Sequence, residues 1–583
     1  MEYTIKKLPE GAEATLTERH GEDGTVLLDL DVTFTPPCAP SVLTVQIAVP
    51  CVDMFSTWGG NFHQYRNLAP AWRRQVSESR LAVGVPVHQL VSSHGRNRFC
   101  VALSDCATPT SIATGVKEED ANIYCDVSFF TQPVNTLSAY RATIRIDESD
   151  RPYREAIRDV ADWFADDCGY PVAHIPEAAR RPMYSCWYSF HQHIDVDAIV
   201  EQCRLAKEMG METVIVDDGW QTDDNGRGYS RCGDWKICPT KIPDIHDFVK
   251  RIHETGMKVM FWYSMPYVGQ ATKAYERFKT MLLGHTEKFG PTYGFATLDP
   301  RYPEVRQYLV GLYETAVRDW KLDGVKLDFV DSFKLFPDPP AYDERRDVQS
   351  LEDGIDRLLS ETYAALTAAN PEVLIEFRQN YVGPAIRKYG NMMRVADCPN
   401  DSYRNHTAIV DMRYTLGATP VHSDMLMWHK NDSKEGVAHQ LICCLYSVPQ
   451  ISVMLNEISE EQRRVLVFWL KFWNENRPIL LDGDFTADDP GAFYTQERAE
   501  KDGEIIAVAH AKAILTLPDV FRRLVFVNAS DEDFLVLRAE KAFGKRQYRV
   551  LSCDGTMEES GEMDFVAGLH EIRVPRCGLV EIL

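Results

Sequence analysis

Residues 196–220 read VDAIVEQCRLAKEMGMETVIVDDGW. Through VDAIVEQCRLAKEMG the apolar residues recur at three- and four-residue intervals, which predicts an amphipathic helix. METVIVDDGW then reads as a short apolar strand ending on two acids. The same alternation continues on both sides. PMYSCWYSF is a strand upstream; GMKVMFWYS, DGVKLDFVD, VLIEFRQN, NMMRVADC, ATPVHSD and QISVMLNE are strands downstream. Helical stretches such as YPEVRQYLVGLYETAVRDW separate them. Eight strand-then-helix units over 182–478 predict a (β/α)8 TIM barrel rather than an open doubly wound sheet.

The flanks have another texture. Residues 1–150 hold short alternating runs (TVLLDLDVTF, SVLTVQIAVP, RFCVALSD, ATIRID) broken by Gly, Pro, Asn and Asp, which predicts an N-terminal β-sandwich. Residues 151–181 read as a helical linker. Short strands return over 479–583 (EIIAVAH, RRLVFVN, FLVLRA, YRVLS), predicting a C-terminal antiparallel β-sandwich.

Composition narrows the function. The 583 residues carry 63 Lys+Arg against 86 Asp+Glu, a net charge of −23, with 45% hydrophobic residues. An acidic chain of this kind is a poor partner for nucleic acid or an anionic membrane, both of which need basic surface. No G-x-G-x-x-G follows a strand and no P-loop appears, so nucleotide binding has no support. The 15 cysteines are scattered without a C-x-x-C pair. The opening MEYTIKKLPEGAEATL lacks an apolar core of signal-peptide length, so a reduced, cytoplasmic protein is expected.

In such a barrel the active site lies where the loops leave the C-terminal strand ends. Those ends carry Trp187, Asp217, Asp218, Trp262, Lys326, Asp328, Arg378, Asn380, Arg394, Asp397 and Asp401. Carboxylates and basic groups that grip hydroxyls, beside indole faces that cover C–H surfaces, suit a neutral polyhydroxylated ligand. On VKLDFVD, Lys326 and Asp328 project to the barrel axis, while Val325, Leu327 and Phe329 face the helices. An inward Lys two residues before an inward Asp can hold that Asp ionised, as a nucleophile or as a rim-bracing ion pair. In MRVADCPND, Asp397 or Asp401 lies on the loop, as a partner acid or as a helix cap. Asp217 and Asp218 repel, which a ligand's hydroxyls would relieve, although Asp-Asp-Gly is also a common turn. His191 and His193 have the H-x-H spacing of metal-dependent barrels, but FRQN and RVAD stand where further histidines are needed. No metal and no cofactor is expected.

The run of CWYSF, IVDDGWQ, CGDW, GMKVMFW, VKLDF and RVADC, in that order, resembles glycoside hydrolase family 36, with NRFCVALSD and NENRPILLDGDF extending the likeness to the flanks. That family contains α-galactosidases, α-N-acetylgalactosaminidases and raffinose-synthase-like transferases. The resemblance implies an N-terminal β-supersandwich before the barrel, Asp328 as nucleophile and Asp397 as acid/base, with Asp401 as the alternative acid. It also implies Lys326 on the sugar, Asp217 and Asp218 on its hydroxyls, and Trp187, Asp234, Trp235 and Trp262 as walls. Two departures stand out. Ala-Asp-Cys replaces Ser-Asp-Asp, and Glu-Phe-Arg-Gln-Asn replaces the Cys-x-x-Gly-Gly loop that faces the sugar's 2-position. Arg378, Gln379 or Asn380 would then read a 2-substituent. The expected function is a retaining exo-α-glycosidase on terminal α-galactosyl-type residues of oligosaccharides or glycoconjugates. An α-N-acetylgalactosaminidase, an α-galactosyl transferase and a non-catalytic carbohydrate-binding barrel are the alternatives. Homo-oligomers follow from the family by analogy alone.

Overall fold

The computed structural model describes residues 1–21, 24–60, 65–286, 294–336 and 338–583. Its centre is a closed barrel of eight parallel strands. They are β1 (Met183–Ser185), β2 (Thr213–Val216), β3 (Lys258–Ser264), β4 (Gly324–Asp328), β5 (Leu374–Arg378), β6 (Met392–Arg394), β7 (Val421–Leu426) and β8 (Val448–Ile451). They follow one another around the barrel in chain order, and β1 closes against β8. All eight expected strands are present. β2, Thr-Val-Ile-Val, is buried on both faces, as a parallel strand between a barrel interior and a helical coat must be. The helix before it, Val196–Glu208, starts where Asp195 accepts a hydrogen bond from the Ala198 amide at 2.9 Å.

Two features depart from the expected course. Tyr267–Gly269, Phe295–Leu298 and Leu282–Thr286 form a small three-stranded antiparallel sheet in the excursion after β3. PMYSCWYSF is a strand only to Ser185; Trp187–Phe190 is one helical turn.

Before the barrel lie a five-stranded and a six-stranded antiparallel sheet, packed around a core that includes Leu28, Val45, Phe99, Val127 and Ile144. Asn122–Phe129 alternates buried and half-buried along its whole length, the signature of a strand with one face in that core. After the barrel, helix Glu460–Asp482 leads to a seven-stranded and a three-stranded sheet. These are mostly antiparallel, but Glu504–Ala509 with Arg523–Asn528 and Ile514–Thr516 with Phe534–Ala539 pair in parallel.

The N-terminal sheets are fastened to the barrel by buried polar contacts. Trp58 Nε1 donates to Asp411 Oδ1 at 2.8 Å, and Arg66 Nη2 donates to both oxygens of the same carboxylate at 2.6 and 2.9 Å. Asp411 sits on the barrel helix Ser402–Thr415. Arg66 Nη2 and Asp411 form an ion pair almost out of reach of water. Removing one partner leaves a buried charge uncompensated. Asp411→Ala is therefore expected to cost about 3–5 kcal/mol in urea unfolding, far more than the loss of a surface ion pair.

Candidate active site

β4 ends on Asp328, and the chain leaves it abruptly. Phe329 takes a left-handed conformation, φ 64°, which a bulky residue adopts only where its surroundings hold it. That turn aims the Phe329 amide back at Asp328 Oδ1, 2.8 Å away. It also takes Phe329 off the strand: its ring meets Tyr229 and Tyr267 edge-on or tilted at 5.0 and 4.9 Å, instead of facing the helices as expected. Three side chains complete the grip on Asp328. Arg378 Nε at the end of β5 donates to Oδ1 at 2.7 Å, Tyr381 Oη to Oδ1 at 3.0 Å, and Trp262 Nε1 from β3 to Oδ2 at 2.8 Å. Burial alone would push the Asp328 carboxyl up, but Arg378 first and then Lys326 hold it well below the usual carboxylate range. It is ionised at any ordinary pH.

Lys326 does point inward, yet its hydrogen-bond partner is Asp217 rather than Asp328: Nζ lies 2.7 Å from Asp217 Oδ2, and both groups are buried. Burial works against the ammonium charge, and Asp217, with Asp328 and Glu376 behind it, more than restores it. The Asp217–Asp218 repulsion is relieved within the protein. Asp218 accepts from Gln192 Nε2 at 2.6 Å and from Gln221 Nε2 at 2.7 Å, and burial pushes its carboxyl up to about 6.

A second charged group follows at β6. Arg394, wholly buried, donates to Asp397 Oδ1 at 2.9 Å and to Asp424 Oδ1, and its Nε is 3.5 Å from Glu376 Oε1. Asp397 is half-exposed at the mouth. Partial burial pushes its carboxyl up, but Arg394, Arg378 and Lys326 together hold it below the usual range, against the repulsion of Asp328. Beside this group, a cavity of about 490 Å³ is lined by Tyr188, Asn400, Met427, Trp428, His429 and Glu457. Tyr188 Oη donates to Asp424 Oδ2 at 3.1 Å, so this cavity adjoins the Asp397 side of the barrel mouth.

The structure thus brings Asp217, Asp218, Trp262, Lys326, Asp328, Arg378, Arg394 and Asp397 into one charged network. Others expected with them are engaged elsewhere. Asp401 is the N-cap of Ser402–Thr415, accepting from the Arg404 amide at 3.0 Å. Asp234 accepts from the Lys273 and Ala274 amides at the start of helix Lys273–Phe278. Trp235 is buried and packs behind Trp262, Tyr263 and Trp220 as a core aromatic. Trp187 is half-buried, edge-on to His191 at 4.7 Å. Asn380 accepts through its carbonyl from the Gly84 amide of the N-terminal sheets, at 2.9 Å. Arg378 spends its Nε on Asp328. His422, at the start of β7, bonds the Ala179 carbonyl on the barrel floor. His191 and His193 reach Arg227 and Asn225 respectively. Among the described residues, the cluster spaced to hold a metal is His406, Glu497 and His510, between helix Ser402–Thr415 and the C-terminal sheet. Tyr381, Gln192 and Gln221 were not singled out in the sequence. Their one signal is a polar group within a few residues of an expected strand end.

Residues 175–384 match the melibiase family model. They also contain the ionised Asp328 with its Trp262, Arg378 and Tyr381 partners, and the Lys326–Asp217 pair. The melibiase match ends before Arg394 and Asp397, which lie outside it. The bifunctional α-galactosidase/sucrose kinase AgaSK of Mediterraneibacter gnavus is 30% identical over 185 residues, 31% of this chain and 18% of that protein. α-Galactosidase 1 of Pediococcus pentosaceus is 27% identical over 182 residues, 29% of this chain and 23% of that protein. The alignments therefore span less than a quarter of the length of these relatives. A glycoside hydrolase family 36 α-galactosidase of Geobacillus stearothermophilus, AgaA, solved in complex with stachyose, superposes with a TM-score of 0.63. At 14% identity it covers 100% of this chain and 87% of its own, a likeness of fold around the melibiase domain.

The depressed Asp328 carboxyl has a consequence for stability. A carboxylate whose folded-state pKa lies below its unfolded value contributes stability above the unfolded pKa, and loses it as pH falls toward the folded one. Thermal unfolding of wild type and Asp328→Asn should differ by a constant amount above about pH 5, and the difference should shrink progressively as pH falls below about pH 4 toward the folded-state value.

Proposed function

We propose that this protein is a retaining exo-α-glycosidase that removes terminal α-galactosyl-type residues from oligosaccharides. The observation that carries this reading is the ionised Asp328 at the end of β4 in a melibiase domain, with Asp397 in the same charged network at the mouth. The curated relatives are named as α-galactosidases. AgaA holds stachyose in one solved structure and raffinose in another, which supports oligosaccharides as the substrate class.

In the first step Asp328 attacks the anomeric carbon while Asp397 gives a proton to the leaving oxygen; in the second, Asp397 takes a proton from water, which displaces Asp328. The two inversions leave the configuration retained. Asp217, Asp218 and Lys326 form a buried polar floor for hydroxyls, and the cavity at Tyr188 and Trp428 gives the leaving group room on the Asp397 side. Asp397 is paired with Arg394 in the empty site. It takes up its proton as the substrate covers it, because burial favours the neutral carboxyl.

A panel of nitrophenyl α-glycosides, with and without acceptor sugar, tests the assignment and separates α-galactosidase from α-N-acetylgalactosaminidase and transferase. Asp328→Asn should abolish turnover; retained activity in that variant sinks the mechanism. Asp397→Ala should lose roughly 10²–10⁴-fold on poor leaving groups but much less in the first step on an activated aryl glycoside. Azide should then rescue it with an α-glycosyl azide as product, because azide takes the place of water in the second inversion. Because Asp397 sits below the usual carboxylate range in the free enzyme, kcat/KM should be highest at acidic pH and fall as pH rises.

A further inference from the structure

The hydrogen bonds to Asp328 are unevenly divided. Oδ1 receives three donors: Arg378 Nε at 2.7 Å, the Phe329 amide at 2.8 Å and Tyr381 Oη at 3.0 Å. Oδ2 receives Trp262 Nε1 at 2.8 Å. A carboxylate offers about two lone-pair sites on each oxygen. Oδ1 is therefore fully engaged, and Oδ2 keeps a site for a new bond.

Among those donors Arg378 is the cation. Lys326 is hydrogen-bonded to Asp217, and Arg394 to Asp397 and Asp424. Arg378 is also fixed in place. Its Nη1 donates to the Gln379 carbonyl at 2.8 Å, and its guanidinium lies over the rings of Phe329 and Tyr381 at 5.2 and 5.7 Å. These contacts, with the bond to Asp328, hold the guanidinium at the carboxylate.

We propose that Arg378 is a positioning residue that fixes Asp328 to attack through Oδ2 and, by stabilising the free carboxylate, makes formation of the glycosyl-enzyme slower than its breakdown. This rests on the glycosidase reading above. In the first step the Oδ2–C1 bond forms, the C1–O bond to the leaving group breaks, and the leaving oxygen takes its electron pair and the proton of Asp397. The negative charge beside Arg378 is consumed, which the guanidinium opposes. In the second step water oxygen bonds to C1, its proton passes to Asp397, and the C1–Oδ2 pair returns to Asp328. The charge reappears beside Arg378, which now favours the step. The residue that occupies the first position after Phe377 thus acts on the timing of the reaction through Asp328.

The test compares wild type, Arg378→Met and Arg378→Lys on aryl α-galactosides of graded leaving-group acidity. Wild type should show no burst of phenol, with kcat rising as the leaving group improves. Arg378→Met should give a burst on activated substrates and a kcat independent of the leaving group. The acid limb of its kcat/KM profile should move up by roughly one to three pH units, and Arg378→Lys should restore the wild-type pattern. A Met variant that loses kcat and kcat/KM by the same factor, with no burst and an unmoved acid limb, has lost only structure and overturns the proposal. A readout free of turnover is the titration of the 13C-labelled Asp328 carboxyl by NMR, assigned through Asp328→Asn. Its midpoint should rise in Arg378→Met, and an unchanged midpoint overturns the clamp even in an active enzyme. A wild type inactive on every α-galactoside overturns the glycosidase reading and the proposed step order, while the carboxyl titration still decides the clamp.

Discussion

A carboxylate held ionised inside protein governs this structure. Moving such a group out of water costs several kcal/mol unless charge and hydrogen bonds replace what water supplied. Asp328 meets that demand with four donors from separate places: Trp262 on β3, the left-handed Phe329, Arg378 on β5 and Tyr381 in the loop beyond. They converge because the barrel closes in one register, with Trp262 opposite Lys326, Ser264 opposite Asp328, and Lys326 opposite Glu376. A slip of one residue in β4 would send Lys326 and Asp328 into the helical coat. Asp217 would then face the interior without its cation.

The flanking sheets serve the same requirement at one remove. Arg80, buried in the N-terminal half, donates to the carbonyls of Asp331 and Phe333, just beyond Asp328, at 2.7 and 2.9 Å. The Gly84 amide holds the Asn380 carbonyl, between Arg378 and Tyr381. Gly383 approaches so near that a Cβ there would stand 2.4 Å from the Gly84 carbonyl. One short segment of the sandwich therefore braces both loops that carry the donors of Asp328. The Trp58–Arg66–Asp411 contact fixes the same sheets against the far side of the barrel.

Much of this was legible along the chain. Alternating strand and helix patterns predict the barrel because each strand must be apolar on both faces and each helix on one. Polar residues at strand ends predict the neighbourhood of the site because a barrel has one mouth. The partners within that neighbourhood were less legible. Lys326 stands two places from Asp328 in the chain but bonds Asp217, 109 positions away. Asp401 and Asp234 have the residue type and the placement of ligand-binding acids, yet both satisfy the amides that open a helix. Trp235 sits among expected site residues and is core, since Trp220, Trp262 and Tyr263 pack against its ring.

The amino-acid sequence by itself determined the barrel, its two β flanks and the position of Asp328 at the end of the fourth strand. These follow from periodicity, which is local and repeats. Only the tertiary structure decided which cation faces which acid: Lys326 with Asp217, Arg378 with Asp328, Arg394 with Asp397 and Asp424. The physical reason is distance. A buried charge is stabilised by whatever lies within about 3 Å of it, and in a closed barrel those neighbours come from adjacent strands separated by dozens of residues in the chain.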